Sequence, residues 1–415
     1  MRRTGFMLLL LVMGIFVLLS SPDYPVQGQS DEVIRCEDDP EADELNRTLV
    51  NSFWAETNFC NHTVEFSEFR SGGPAPDGIL RINPEDVQLE SIEDARFWLE
   101  DQSPVIALEI NGDARAYPLL ILTRHEIVND VVGDEPVAVT FCPLCNSALV
   151  YSRAVENDAA SPAEPLTFGV SGLLRNSDLV MFDDQTKSWW QQLTGEGLVG
   201  TYAGEQLTLV PSLVVGFGQF AAQFPQGQVL SQSSGWRAGL GNPADGYNGY
   251  GGNPYELYDS RNAPYGGFFD ADQLDTRLPA LERVLAGTID GQPIAYPFSV
   301  LSEVRVVNDT VGERDVVAFW QAGKASALDR RDIDASRDVG MAALYRRTVD
   351  DQTLTFSLNA DGTFTDEETG STWNVFGLAI GGELEGTQLR PELAAPHFWF
   401  AWAAFRPETL VYGLE

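Results

Sequence analysis

Two stretches of this 415-residue chain read alike at a constant offset of 179. Gly112-Asp-Ala-Arg-Ala-Tyr-Pro-Leu-Leu-Ile-Leu122 and Val128-Asn-Asp-Val-Val-Gly133 return as Gly291-Gln-Pro-Ile-Ala-Tyr-Pro-Phe-Ser-Val-Leu301 and Val307-Asn-Asp-Thr-Val-Gly312. Across 112–133, 10 of 22 positions are identical. Weaker echoes follow: Leu166-Thr-Phe168 with Leu354-Thr-Phe356, Thr186–Trp190 with Thr369–Trp373, and Gly200–Leu207 with Gly382–Leu389. A repeat this long constrains the chain to build one supersecondary plan twice. Each copy opens on an apolar strand, Val105–Ile110 in the first, and meets Asn111-Gly112 or Asp290-Gly291, strong two-residue hairpin signals. An Ala-Tyr-Pro strand end, a helix-like stretch (Leu119–Ile127), a turn and a β-rich run (Pro136–Phe141) follow, then short strands between Gly-containing turns. The expected fold class is α+β: two related, β-rich domains dominated by antiparallel sheet, produced by an internal duplication. The predicted boundaries are 78–234 and 271–415. Between them, 235–270 is a Gly/Asn/Tyr-rich linker or loop whose tyrosines are alternatively placed to cover a groove.

Before the first copy stand two further segments. Arg2 and Arg3 precede an apolar run, Phe6–Leu19, with a cleavage-like site after Gly28. Residues 1–28 therefore read as a secretory signal peptide, the run being short of the ~20 residues of a spanning helix; an uncleaved N-terminal anchor is the alternative. Either way the protein is expected to be exported to the periplasm, cell envelope or exterior. Residues 29–77 form a polar segment in which Cys36 and Cys60 are expected to pair as a disulfide, since an oxidising compartment favours it.

Charge excludes some partners. Lys+Arg number 26 against 61 Asp+Glu, a net charge of −35, and only Lys187 and Lys324 are lysines. No nucleic acid and no anionic membrane surface is expected to bind such a chain. With 44% hydrophobic residues it is a folding chain, not a disordered acidic tail.

The chemistry emerges from comparing the copies. His125 falls opposite Val304, Cys142 opposite Gln321 and Cys145 opposite Lys324, so three reactive residues disappear together while the packing residues stay. Cys142-Pro-Leu-Cys145 follows an apolar strand, and His125 lies on the preceding helix-like element. Two soft thiolates and an imidazole suit Cu(I) or Zn(II), and three protein ligands leave one zinc position open. His125, Cys142 and Cys145 are thus the expected metal ligands, with copper or zinc as the metal; no organic cofactor is implied. Three other readings stand beside this one. Cys142 and Cys145 are a metal-free thiol–disulfide couple, although no thioredoxin-like βαβ pattern surrounds them. Or they are a permanent staple in a non-catalytic interaction domain, with His125 a core residue. Or His125-Glu126 with the Cys pair is a variant of the zinc-deaminase pattern, which makes Glu126, Cys142 and Cys145 weak catalytic candidates. In that pattern, however, the Glu stands two residues after the His, whereas here they are adjacent.

The remaining polar positions have simpler readings. Asn129, Asp130 and Tyr117-Pro118 occur in both copies and are expected to serve turns and structural hydrogen bonds. Arg153 and Arg175 read as surface ion-pair residues, His62 as a surface residue beside Cys60, and His397 as core packing in an aromatic tail. Ser171 resembles a nucleophile turn only loosely.

Arg115-Ala-Tyr-Pro118, His125–Asp130, Val139-Thr-Phe-Cys-Pro-Leu-Cys145, Leu166–Gly172 and Met181–Trp190 together resemble the secreted prokaryotic family catalogued as domain of unknown function 3179, from about Gly78 onward. The resemblance implies an envelope or extracellular setting and His125, Cys142 and Cys145 as signature residues, and it names no reaction.

Overall fold

A computed structural model of the chain describes residues 36, 39–155, 164–235 and 250–414. The proposed signal peptide lies outside the described residues. Among the described residues strands dominate and the longest helix, Pro40–Thr48, has nine residues, capped by Asp39, whose side chain accepts from the backbone of Glu41 and Ala42.

The first half builds three sheets. One is ordered Leu213–Gly216, Pro104–Ile110, Asp113–Pro118, Gln228–Leu230, Leu89–Ser91; another Leu209–Val210, Ser147–Ser152, Glu135–Cys142, Ile127–Val132. The third runs Phe69–Ser71, Phe168–Arg175, Asp178–Asp183, Trp189–Gln191, Gly197–Val199, so the N-terminal segment contributes an edge strand. The second half follows the same order. Ala394–Phe398, Arg283–Ile289, Gln292–Pro297 and Leu410–Val411 make one sheet, Val306–Val311, Arg314–Gln321 and Met341–Arg346 the next, and four short strands from Phe356 to Gly381 the third. Even the parallel strand pairing recurs, Gln228 beside Arg115 and Leu410 beside Ile294.

Local chemistry explains the recurrence. Asn111 and Gly112 have φ of 51° and 85°, and Asp290 and Gly291 have 49° and 77°, the left-handed pair a tight hairpin needs to match strand twist. Tyr117 and Tyr296 close their strands and donate their hydroxyls to Asp130 (2.7 Å) and Asp309 (2.9 Å). The short helices Leu119–His125 and Phe298–Val304 begin directly after a proline, whose fixed φ and missing N–H suit a helix start. Asn129 clamps the backbone N–H and C=O of Phe168, both at 2.9 Å, and Asn308 does the same to Phe356, both at 2.9 Å. Trp190 donates to Asp183 (2.9 Å) and Trp373 to Asp366 (2.8 Å), each carboxylate also holding a threonine, Thr186 or Thr369.

The sheets stay within their halves, but the core does not. One apolar cluster joins Phe141, Leu149 and Tyr151 to Val284, Phe398 and Trp399; a second joins Val105, Phe217 and Phe220 to Phe319, Tyr345 and Phe376. Packing is reciprocal: Ser147–Ser152 lies against Ala394–Phe398, and Leu213–Gly216 against Met341–Arg346.

Several expected surface positions are buried. His62 is 0% exposed, its Nδ1 bonded to the Val64 carbonyl at 2.8 Å and its Nε2 facing Asp39 at 3.1 Å. The N-terminal helix folds over it, and sequence alone carries no sign of that long-range cover. Arg153 is buried too and donates to the carbonyls of Leu166 (2.7 Å) and Asp130 (3.2 Å) instead of forming a surface ion pair. Arg175 does pair with Glu68, at 2.7 Å. Ser171 Oγ donates to the Val180 carbonyl at 2.5 Å, so its hydroxyl serves an irregularity in the hairpin. His397 is 1% exposed and stacks on Trp402.

Candidate metal centre

Cys142 ends the Glu135–Cys142 strand, and Pro143–Cys145 form one 3-10 turn. Proline at the first position of that turn withdraws an N–H the turn cannot use. Asn146, in the left-handed region at φ 48°, returns the chain to Ser147, which pairs with Cys142 across the hairpin. Both sulfurs thereby sit on the inner side of a tight loop, 2% and 0% exposed.

Opposite this loop is a second turn. The Phe168–Arg175 and Asp178–Asp183 strands are joined by Asn176 and Ser177, with φ of 51° and 63°. Two successive left-handed residues make the tight hairpin without any glycine, a strained solution for serine. The turn aims the Ser177 carbonyl at Cys145 Sγ (3.4 Å) and Cys142 Sγ (3.9 Å), and it delivers Asp178. Cys142, Cys145 and Asp178 each offer a ligand atom, and these atoms lie within 4.8 Å of one another. All three residues are buried.

Asp178 is held as an outer shell holds a ligand. Its Oδ2 accepts from Gln191 Nε2 (2.7 Å) and the Leu193 N–H (2.9 Å), and the Cys145 and Cys142 thiols stand within hydrogen-bonding reach of the carboxylate. Gln192, the turn residue after the Trp189–Gln191 strand, braces the cysteine hairpin by donating to Thr140 Oγ1 at 2.8 Å. A carboxylate oriented by fixed donors and facing two thiols is donor chemistry that a metal ion completes by taking the place of the thiol protons.

His125 falls outside this group. Its Nδ1 bonds the Leu80 carbonyl and its Nε2 faces the Tyr250 hydroxyl at 2.6 Å. Gly235, at φ 70°, lies against the ring: a Cβ there would stand 2.9 Å from His125 Cε1. The helix ends at His125, and the next residue, Glu126, turns left-handed at φ 59°. Past that reversal the Glu126 side chain lies in the electrostatic neighbourhood of Asp178 and Cys142.

The neighbourhood is dry and acidic. Burial, reinforced by Asp178, pushes the Glu126 carboxyl up to about 8. Burial likewise lifts Asp178 to about 6 against the pull of its hydrogen bonds from Gln191 and Leu193. Both thiols are pushed upward by burial, Cys145 the more strongly. The segment expected to be a linker or loop supplies a cover. Tyr258 is 0% exposed, donates to the Leu144 carbonyl inside the Cys-Pro-Leu-Cys turn at 3.0 Å, and stacks on Tyr265.

Asp178 and Ser177 are the residues that sequence reasoning missed. The available signal was the Asn-Ser pair between two strand-like runs, which reads as a two-residue hairpin and puts Asp178 at the first paired position.

The family described as "Protein of unknown function (DUF3179)" matches residues 76–409. The chain belongs to it. No curated protein and no solved structure matches the chain. All the residues of the Cys142, Cys145 and Asp178 group, with Glu126 and Tyr258, fall inside the matched region.

Proposed function

We propose that this is an exported metal-binding protein whose first half holds one Zn(II) or Cu(I) ion through Cys142, Cys145 and Asp178, and whose second half is a degenerate structural copy. The observation that carries the reading is the convergence of two thiols and one oriented carboxylate from separate hairpins. Replacing the expected imidazole by a carboxylate favours zinc, because a hard oxygen donor suits Zn(II) better than Cu(I). Three protein ligands leave a fourth zinc position, and the ion would supply Lewis acidity there. Glu126 would stand beside it as a buried acid able to hold a proton near neutral pH.

Export is supported by the Cys36–Cys60 disulfide and by the charged, then apolar N-terminus. Among the described residues no helix is long and apolar enough to cross a membrane. The duplication is supported by the 179-residue repeat and the twice-built hydrogen bonds described above. A metal-free thiol–disulfide exchanger is the weaker reading: such enzymes depress a thiol pKa with cations or helix ends, whereas here burial beside two carboxylates raises both.

Metal analysis by mass spectrometry on protein matured in an exporting host, paired with a thiol count after denaturation, tests the proposal. The expected result is about one zinc or copper per chain, two thiols released, and loss of the metal in Cys142→Ala and Cys145→Ala with the fold retained. Metal-free wild-type protein with no titratable thiol would overturn it in favour of a disulfide.

A further inference from the structure

Two cavities between the halves are built on the same plan. One, of about 190 Å³, is walled by Tyr151 and Gln206 of the first half and Ala286 of the second; the other, of about 260 Å³, by Tyr345 and Gln388 of the second half and Ala107 of the first. These residues correspond one to one. Tyr151 pairs with Ala138 and Tyr345 with Val317, positions 179 apart, and their hydroxyls donate to the carbonyls of Gln192 (2.8 Å) and Val375 (2.9 Å). Gln206 donates to the Thr194 carbonyl and Gln388 to the Phe376 carbonyl, both at 2.7 Å. Ala107 and Ala286 stand at the repeat offset.

The two cavities differ in the side chains that close them. Val215 pairs with Val105 and His397 with Val284, equivalent strand positions, and a short helix starts two residues later in each half, Phe217–Gln223 and Trp399–Phe405. His397 therefore stands where the first half has Val215, Trp402 where it has Phe220, and Arg406 where it has Phe224. His397, Trp402 and Arg406 all line the smaller cavity, and among the described residues no carboxylate does. The larger one has Phe224 in place of the arginine, and Glu109 and Glu392 on its wall. His397 is 1% exposed, and its Nδ1 is buried without a hydrogen-bond partner among the described residues. Burial pulls the imidazole down to about 3, so the ring is neutral at ordinary pH and offers one donor and one acceptor. Arg406 is only loosely engaged. One terminal nitrogen donates to the Phe405 carbonyl at 2.8 Å, and the other faces Glu196 at 3.6 Å in a pair whose side chains are 32% and 36% exposed. Such a pair contributes little, so a second carboxylate competes with it.

We propose that the smaller cavity binds a small organic monocarboxylate, its apolar body against Leu149, Leu393 and Trp402 and its carboxylate held by Arg406 and His397. The wall sets the body, because leucine, alanine and aromatic side chains make most of it. The guanidinium, the one charged group on that wall, sets the head group, since its planar fork matches a carboxylate. Volume sets the size: a cavity of about 150 Å³ holds one benzene ring, so about 190 Å³ suits a ligand of benzoate's dimensions. A hydrogen bond to the ligand would also satisfy the imidazole, whose buried nitrogen is otherwise a cost to the fold. The larger cavity is the internal control. It has the same tyrosine and glutamine but carboxylates and no arginine on its wall, and it is expected to take no anion.

Isothermal titration calorimetry of the protein matured in an exporting host is expected to show one saturable site for benzoate and none for benzylamine, which has a similar shape and the opposite charge. Arg406→Gln removes the charge at a partly exposed position and is expected to weaken benzoate binding by about tenfold or more. His397→Val installs the residue of the other half and is expected to weaken it by about threefold to tenfold. Anomalous diffraction from wild-type crystals soaked in 4-bromobenzoate needs no variant and is expected to place the bromine in the smaller cavity and not in the larger. No benzoate binding, an unchanged affinity in folded Arg406→Gln, or bromine found only outside the smaller cavity would overturn the proposal. So would binding that survives Arg406→Gln and is lost in Cys142→Ala, which would place the carboxylate on the metal instead.

Discussion

The two halves of the molecule share a scaffold and differ where the chemistry is. Both clamp a strand with an asparagine, anchor a tryptophan on an aspartate, and tie a strand-end tyrosine to a carboxylate. Against that background His125, Glu126, Cys142 and Cys145 become Val304, Arg305, Gln321 and Lys324. The backbone does not change with them: Glu126 and Arg305 hold φ of 59° and 65°. Strain at that position is accordingly a property of the scaffold, and only the side chain it presents distinguishes the halves. Arg305 lies over the Trp320 ring, while Glu126 is buried beside Asp178. The fold evidently does not require the reactive set, so changes within that set should separate metal binding from folding.

The largest expected effect follows directly. Asp178→Asn keeps the shape and its contact with Leu193 but offers no anionic oxygen, and zinc affinity should fall on the order of 100-fold, at or beyond the upper end of outer-shell substitutions. His125→Ala should change it by less than about tenfold, because its ring nitrogens face Leu80 and Tyr250. Competition with a chromophoric chelator measures both. The reverse ranking would restore the imidazole as a ligand and discard the carboxylate.

Glu126 sharpens the contrast through pH. Its carboxyl is raised to about 8 in the fold, so the folded protein binds its proton more tightly than the unfolded chain does. The stability this contributes is present below the ordinary value of 4.5 and is lost as pH climbs through about 8. Asp178, raised to about 6, acts in the same sense in the lower part of that window. Metal-free, reduced protein should lose on the order of a few kcal/mol more between pH 5 and pH 9 than Glu126→Gln does. Urea unfolding with a chelator present would show it. Parallel curves for the two proteins would mean that Glu126 reaches water.

What the sequence made legible was local. The Asn-Gly and Asp-Gly turns, the Tyr-Pro strand ends, the helix ending near His125 and the Cys-Pro-Leu-Cys turn each follow from a few adjacent residues. The site needed contacts between distant strands. Asp178 lies 33 residues beyond Cys145 and reaches it only because its hairpin folds across the cysteine loop. Comparing the halves did not mark Asp178 either, since the second half replaces the two-residue turn by the longer Asn359–Thr363 connection. His125 vanishes along with the cysteines in the second half, yet disappearing together did not mean converging on one point. Its ring belongs to the cover, with Tyr250 and Gly235, and the burial of His62 under the N-terminal helix was equally a matter of distant chain.

Burial also grades the scaffold bonds that the halves share. Asn129 is 0% exposed and Asn308 only half-buried, though each makes the same two hydrogen bonds. Asn129→Ala leaves the Phe168 backbone groups unsatisfied away from water and should cost about 2–4 kcal/mol; Asn308→Ala should cost about 1–2 kcal/mol, because solvent can replace the amide. Chemical denaturation of both variants decides whether the clamp is worth the same in each half.

The smallest expected difference is between the two tyrosine hydroxyls, and it tests the comparison most finely. Tyr117→Phe and Tyr296→Phe remove equivalent bonds to Asp130 and Asp309. Asp130 is 4% exposed and keeps a second partner, Arg115, at 2.8 Å; the equivalent of Arg115 is Ile294, and Asp309 is more open. Two effects therefore compete. Arg115 keeps the Asp130 charge compensated and reduces the loss, while burial denies Asp130 a water in place of the hydroxyl and enlarges it. Desolvation should win, since a buried carboxylate missing one donor loses more than a wet one gains, giving about 1–2 kcal/mol for Tyr117→Phe against about 0.5–1 kcal/mol for Tyr296→Phe. A Tyr117→Phe cost no greater than that of Tyr296→Phe would show that the arginine alone satisfies Asp130, making the ion pair, and not the tyrosine, the bond that sets the first half apart.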